Sequence, residues 1–309
     1  AYNHFILVNL YSLPYKEETA ASNTGIPLKL NSSMDEVLKP SSVAEVYASV
    51  LSDIDNAEKK LNVETWEIGL NYRFNTISAD ALRSRVYLYM GRWEDCYNAS
   101  ERVLSKKNEL VDLVSGRVLP NAYDSPENIV ALEMNMNSNY ANVDKLVPSD
   151  LYNSYLPGTQ DQRARKYYKT EIGGYSLLKG GSSSYRCSFR VGEMYLNSAE
   201  AALKNHHPEI AKMRLLQLLE KRYQSTAYTQ AETDINAMDD NALLDEIYLQ
   251  RRLELSYEGH RWFDIRRMEK NKRPILTREY EGQTYHIEDN YPELTIKIPD
   301  EAREANPYL

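Results

Sequence analysis

The chain has 309 residues, with 37 Lys and Arg against 45 Asp and Glu for a net charge of −8, a length that suits one large domain or two small ones. Apolar residues at 42% and charged residues at 27% exclude a disordered chain and a helical membrane-spanning one, and apolar runs such as Phe5-Ile6-Leu7-Val8 fall far short of a bilayer. The acidic balance leaves no basic surplus to displace counterions, so no nucleic-acid partner is expected.

Ala1 to Tyr11 reads as the middle of an apolar helix. There is no initiating Met and no leader pattern, so an N-terminal portion is expected upstream. After an excursion containing Pro and Asn, Ser42-Val43-Ala44-Glu45 forms a capping box in which Ser42 and Glu45 satisfy each other's amides. Val43, Val46, Tyr47, Val50, Ile54, Ala57 and Leu61 then recur at three- and four-residue steps, predicting a helix over about 42–61. ADALRSRVYLYM, Gly91-Arg92-Trp93 and EDCYNASERVL predict a helix, a tight turn and a second helix, with small Ser84 and Cys96 where the two approach. The pattern resembles a tetratricopeptide hairpin.

Asn128 to Met134 alternates as a strand would. It opens a stretch rich in Asn, Ser, Gly and Tyr, a long excursion of the kind that carries function. A second hairpin is expected from Phe189 to Arg222, broken at His206-His207-Pro208. Leu243, Leu244, Ile247, Tyr248 and Leu255 stripe another helix, with Gly259 as its expected C-terminal cap, and Trp262, Phe263, Ile265 and Met268 form a short partner. After Lys270 the chain reads as loop. Hairpins of this kind bury their apolar faces only by stacking. The expected fold is therefore mainly α: one domain over 1–309, with tetratricopeptide-like hairpins at about 1–107 and 189–268. A loop-rich insertion with a few short strands spans about 108–188, and a terminal loop segment spans 269–309.

No catalytic motif stands out: HExxH, Walker A, GxSxG and GxGxxG are all absent. His206 and His207, adjacent in a turn, share no helical face and make a poor metal site. Neither a metal nor a cofactor is expected. Cys96 and Cys187 form no disulfide framework; a single bridge between them stays open, with two partly buried free thiols the favoured reading. In Arg251 to Arg267, Glu258, His260 and Asp264 could be imagined as an acid–base cluster. The offsets Arg251/Glu254, Glu258/Arg261 and Arg261/Asp264 favour helix-stitching ion pairs instead. Of 32 aromatic residues, 25 are Tyr, a flat apolar face with a polar tip that suits half-exposed surfaces.

LQRRLELSYEGHRWFDIRRM resembles the C-terminal signature of the SusD/RagB family, with Gln250 where that family commonly has Glu. AYNHFILVNLYSLPY, SSVAEVYASVLSDIDNAEKKL, ADALRSRVYLYMGRWEDCYNASERVL, LVPSDLYNSYLPGTQDQRARKYY, FRVGEMYLNSAEAAL and KIPDEAREANPYL are similar to its other segments, in order. The resemblance implies a non-catalytic, surface-exposed lipoprotein of a Bacteroidetes-type outer membrane. Such a protein captures glycans and delivers them to a SusC-like TonB-dependent transporter, and its lipid anchor would lie outside this chain. A peptide-binding or protein-interaction scaffold of the same architecture is the alternative.

Sugar rings present apolar C–H faces and a rim of hydroxyls, so loop aromatics with polar neighbours suit such a ligand. No ligand residue carries over by motif. The candidates from the residues themselves are Trp66, Tyr140, Tyr152, Tyr155, Tyr175 and Tyr185, each weighed against packing on the helical frame.

Overall fold

The computed structural model describes residues 1–33, 37–132, 147–158, 160–179, 188–287 and 295–309. Its contacts divide the chain into two compact units, one of residues 1–59, 89–91 and 262–309, the other of residues 60–88 and 92–261. The fold is mainly α, as the hairpin periodicity predicts.

In the first unit, α1 (Tyr2–Tyr11) packs on α2 (Val43–Glu58). The predicted capping box is present: Ser42 Oγ accepts from the Glu45 amide, and Glu45 accepts from the Ser42 amide at 2.7 Å. Val43, Val46, Tyr47, Val50 and Ile54 are buried. The helix ends at Glu58 rather than 61, with Ala57 already exposed. Phe5, Tyr47, Tyr89 and Phe263 form a chain of ring contacts at 5.2–6.1 Å. The short helix carrying Phe263, α11 (Arg261–Arg267), also supplies Arg266, which donates to the carbonyls of Asn9 and Ser12 where α1 runs out of amide partners. The terminal segment, expected as loop, holds an antiparallel hairpin of β5 (Leu276–Tyr280) and β6 (Gln283–Ile287) and a final short helix, α12 (Asp300–Ala305).

The second unit is organised around α7 (Val191–Lys204), whose residues from Val191 to Leu203 are all buried. It packs against α4 (Trp93–Lys106), α8 (Pro208–Glu220) and α10 (Asp240–Glu254). Burial on every side requires each polar residue of α7 to find a partner. Glu193 receives both Nε and Nη2 of Arg85, at 2.7 and 2.6 Å. Asn197 donates to Ser84 and accepts from Arg251. Ser198 donates to Glu101. Helix α3 (Thr76–Met90) meets α4 through the small pair foreseen in the sequence, with Ser84 Oγ 2.7 Å from Ser100 Oγ and beside the buried Cys96. Gly91 makes the turn between the two helices at φ +70°.

Strand β1 (Asn128–Val130) stops before Ala131 and Leu132, and Glu133 and Met134, the end of the expected alternation, lie outside the described residues; β1 pairs antiparallel with β4 (Phe189–Arg190), the two residues leading into α7. Within the expected loop region lie α5 (Ser149–Asn153), α6 (Gln162–Tyr167) and a hairpin of β2 (Tyr168–Glu171) and β3 (Gly174–Leu177). A further helix, α9 (Ser225–Ala237), is polar on most positions and buries only Ala227 and Ile235, which is why its periodicity is faint. Gly259 does not cap α10. The helix ends at Glu254, and a turn through Tyr257 at φ +60° separates it from Gly259.

Candidate ligand-binding pocket

The site rests on a buried charge cluster in the second unit. Glu254 lies between Arg222 (Nε at 2.9 Å) and Arg190 (Nη1 at 2.7 Å), with Arg163 at 3.5 Å. Glu127 accepts from Arg222 at 2.7 Å and Arg190 at 2.9 Å. Glu258 receives Arg190 at 2.8 Å and Lys179, and Arg163 pairs with Asp161 at 2.8 Å. Arg163, Arg190, Arg222 and Lys179 thus face Asp161, Glu127, Glu254 and Glu258, four charges of each sign in the interior.

Burial alone would raise Glu254, but Arg222 and Arg190 outweigh it and hold its carboxyl well below the usual range. Burial pushes the Lys179 ammonium down to about 8 against the opposing pull of Glu258. His260 is held neutral by burial and by the charges of Arg85, Arg251, Arg190 and Lys179, which together keep it well below its ordinary value. Of the residues imagined as an acid–base cluster, Glu258 is fixed in ion pairs with Arg190 and Lys179, and Asp264 pairs with Arg267. The ion pairs at this segment are both local, as between Asp264 and Arg267, and long-range. Glu254 and Glu258 take their arginines from positions 163, 190 and 222, far along the chain. Gln250, the departure from the family signature, accepts from Arg163 at 2.6 Å and donates to Tyr223 and Glu246.

Glu127 ties this cluster to the surface. Besides its two arginines it accepts the backbone amides of Val111 and Gly192. A Cβ on Gly192 would lie 2.3 Å from Arg190 Nη1 and 3.0 Å from Glu127 Oε2, so glycine there lets the helix approach the cluster. The residues on either side of Glu127 form one wall of a pocket of about 240 Å³: Tyr123, Asp124, Ser125 and Pro126 before it, Asn128 after it.

The opposite wall is the connection between α2 and α3. Asn71 Nδ2 donates to the Tyr123 carbonyl at 2.5 Å, and Asn75 Nδ2 to that of Ile129 at 3.0 Å, stitching the walls together. Ser78 and Asn75 exchange hydrogen bonds at the start of α3 and fix that end. Buried Ile77 and Ile129 also line the pocket, as does Lys107, just past α4.

Trp66 lines this pocket. Its Nε1 donates to the Phe74 carbonyl at 3.0 Å, and the Arg73 guanidinium sits over its ring at 5.3 Å. With its polar atom satisfied and one face covered, the indole offers the pocket apolar surface. Arg73 also lies 5.6 Å over Tyr72.

The other sequence candidates lie elsewhere or outside the described residues. Tyr152 and Tyr175 stack on each other, centroids 3.6 Å apart and planes 14° from parallel, bringing α5 and β3 together. Tyr155 is buried in the core, its hydroxyl 2.8 Å from the Leu253 carbonyl; this geometry gives it a framework role. Tyr140, Tyr185 and Cys187 lie outside the described residues. Asn71, Lys107, Tyr123, Asp124 and Asn128 escaped the sequence reading, although the turn-forming run Asn-Ala-Tyr-Asp-Ser-Pro at 121–126 marked the place. Among the described residues no group of His, Cys, Asp and Glu is arranged to hold a metal ion, and no helix is long and apolar enough to cross a membrane.

The described chain is a mainly α protein of tetratricopeptide-like hairpins, with a small pocket lined by Trp66 and Tyr123 in its second unit. Residues 85–308 match the model of the SusD family, and residues 1–88 match a model described as starch-binding associating with outer membrane. The chain belongs to the SusD family. It is 25% identical to a SusD-like protein of Formosa agariphila over 322 residues, covering 80% of this chain and 62% of the length of that curated relative.

Among solved structures, a SusD superfamily protein from Bacteroides fragilis aligns with a TM-score of 0.79 at 22% identity, over 99% of this chain and 73% of that one. A SusD-like carbohydrate binding protein from Bacteroides vulgatus aligns with a TM-score of 0.73 at 22% identity, over 99% and 74%. At that identity the likeness concerns the fold.

Proposed function

We propose that this protein captures a glycan without cleaving it, at the cell surface, and passes it to a SusC-like TonB-dependent transporter in the outer membrane, held there by a lipid anchor outside residues 1–309. The observation that carries this reading is the Trp66 pocket, on a chain whose family model and neighbours are described in terms of starch and carbohydrate binding. An indole face suits the C–H side of a sugar ring, and Asn, Ser, Asp and Lys beside it suit hydroxyls. Cleaving a glycosidic bond calls for two placed carboxyl groups. Among the described lining residues there is one, Asp124.

The test is a glycan array with the full-length protein, followed by calorimetry and an assay for released reducing ends. Binding without product, weakened at least tenfold by Trp66→Ala, is expected. Product release would make the protein a hydrolase. Capture of peptides with no glycan bound would favour the scaffold alternative. Co-purification of a TonB-dependent transporter with the tagged protein checks delivery; its absence from purified membranes would remove that step.

A further inference from the structure

We infer that the Trp66 pocket takes a single terminal sugar unit, reading a vicinal diol on it with Asp124 and Lys107, rather than gripping an internal stretch of polysaccharide. The inference rests on the glycan-capture reading and adds a ligand geometry to it. Three observations carry it.

Size comes first. About 240 Å³ lies under the roughly 300–1,000 Å³ of pockets that enclose drug-sized ligands, so there is room for one ring. Shape is the second. Ile77 and Ile129 line the pocket at 1% and 3% exposure, so on their side it abuts packed core rather than solvent, which suits a chain end better than an internal stretch.

Charge is the third. Among the described residues, every carboxylate of the interior cluster beneath the pocket is matched by a cation. Lys107 and Asp124 line the pocket with no ion pair of their own, to each other or to any other described residue. A carboxylate accepts from two adjacent hydroxyls at once, and an ammonium donates to their oxygens; both are charge-assisted bonds. Together they suit a neutral diol, since either charge would repel a ligand carrying its own sign. Trp66, with Arg73 over one face and its Nε1 already bonded, supplies the apolar contact.

The experiment uses the full-length protein and neutral oligosaccharides of two to six units from the malto-, cello-, xylo-, manno- and galacto- series, titrated by calorimetry. In the series that binds, the expected Kd changes less than threefold from disaccharide to hexasaccharide, and the methyl glycoside of the terminal unit competes. Asp124→Asn and Lys107→Met are each expected to weaken binding at least tenfold with unchanged melting temperature. A Kd that tightens a hundredfold with length, or full binding by both variants alongside loss in Trp66→Ala, would overturn the inference and leave glycan capture standing. If no glycan of any series or polymer binds, the capture reading itself falls, and this inference with it.

Discussion

Glu127 divides two regions that use the same residue types to opposite ends. Beneath it, Arg163, Arg190, Arg222 and Lys179 are matched against four carboxylates with the solvent excluded. Above it, Asp124 and Lys107 face a pocket without ion-pair partners among the described residues. Tyrosines divide in a similar way. Tyr155, Tyr167 and Tyr168 are buried in the core, whereas Tyr123 lines the pocket with 37% of its surface exposed. Charge type and ring type therefore do not tell a framework residue from a pocket-lining one in this chain; the presence of an internal partner does.

The sharpest way to break this contrast is to remove one interior charge. Glu254→Gln leaves Arg190 and Arg222 short of a buried carboxylate and is expected to cost about 3–5 kcal/mol in urea unfolding; a loss below about 1 kcal/mol would mean the cluster is not the anchor described here.

Gly192→Ala probes the same cluster sterically. In an ordinary helix the change would gain up to about 1 kcal/mol. Here the new Cβ meets Arg190 Nη1 at 2.3 Å, and that guanidinium, held by Glu127 and Glu254, has little freedom to retreat. A loss of about 1–3 kcal/mol is expected, so the sign of the effect is the test.

The third prediction is a pH slope. His260 in the folded state titrates well below its ordinary value, so below about pH 6.5 the unfolded chain binds a proton that the native chain does not. Stability is then lost as pH falls, by about 1.4 kcal/mol per unit. The window is bounded below by the carboxylates Glu254 and Glu258, whose own pKa values are depressed. Unfolding of the His260→Gln variant between pH 4.5 and 6.5 should show a flatter slope than the parent; an identical slope would assign it to other groups, such as His4, which burial also lowers.

The smallest stability effect belongs to the pocket. Trp66→Ala is expected to change stability by about 0.5 kcal/mol or less, as surface changes do, while abolishing most binding. A large drop in melting temperature would move Trp66 into the framework.

Much of the helical body was legible because burial on one stripe writes a period into the sequence. The Val43-to-Ile54 stripe, the Ser42–Glu45 box and the Gly91 turn each had a local cause. The β5–β6 hairpin and α9 were not legible: one turns through Glu281-Gly282 without a strong flanking pattern, and the other buries too little to show a stripe. For the site, Trp66 could be picked out as a lone indole in a connection, but its partners could not. Lys107 and Asp124 come from separate parts of the chain, and the ion pairs of Glu254 and Glu258 span up to 91 and 79 positions; such pairings leave no short-range trace.

The backbone bonding around Glu127 has a consequence for how this surface could diversify. Its carboxylate fastens residues 123–128 to the interior through Arg190, Arg222 and the amides of Val111 and Gly192. Tyr123 and Asp124 of that strip stay exposed. Such a strip can exchange Asp124 or Tyr123 for other residues with little disturbance to folding, so the pocket's chemistry can change by substitutions at a few places along it while the body beneath stays the same.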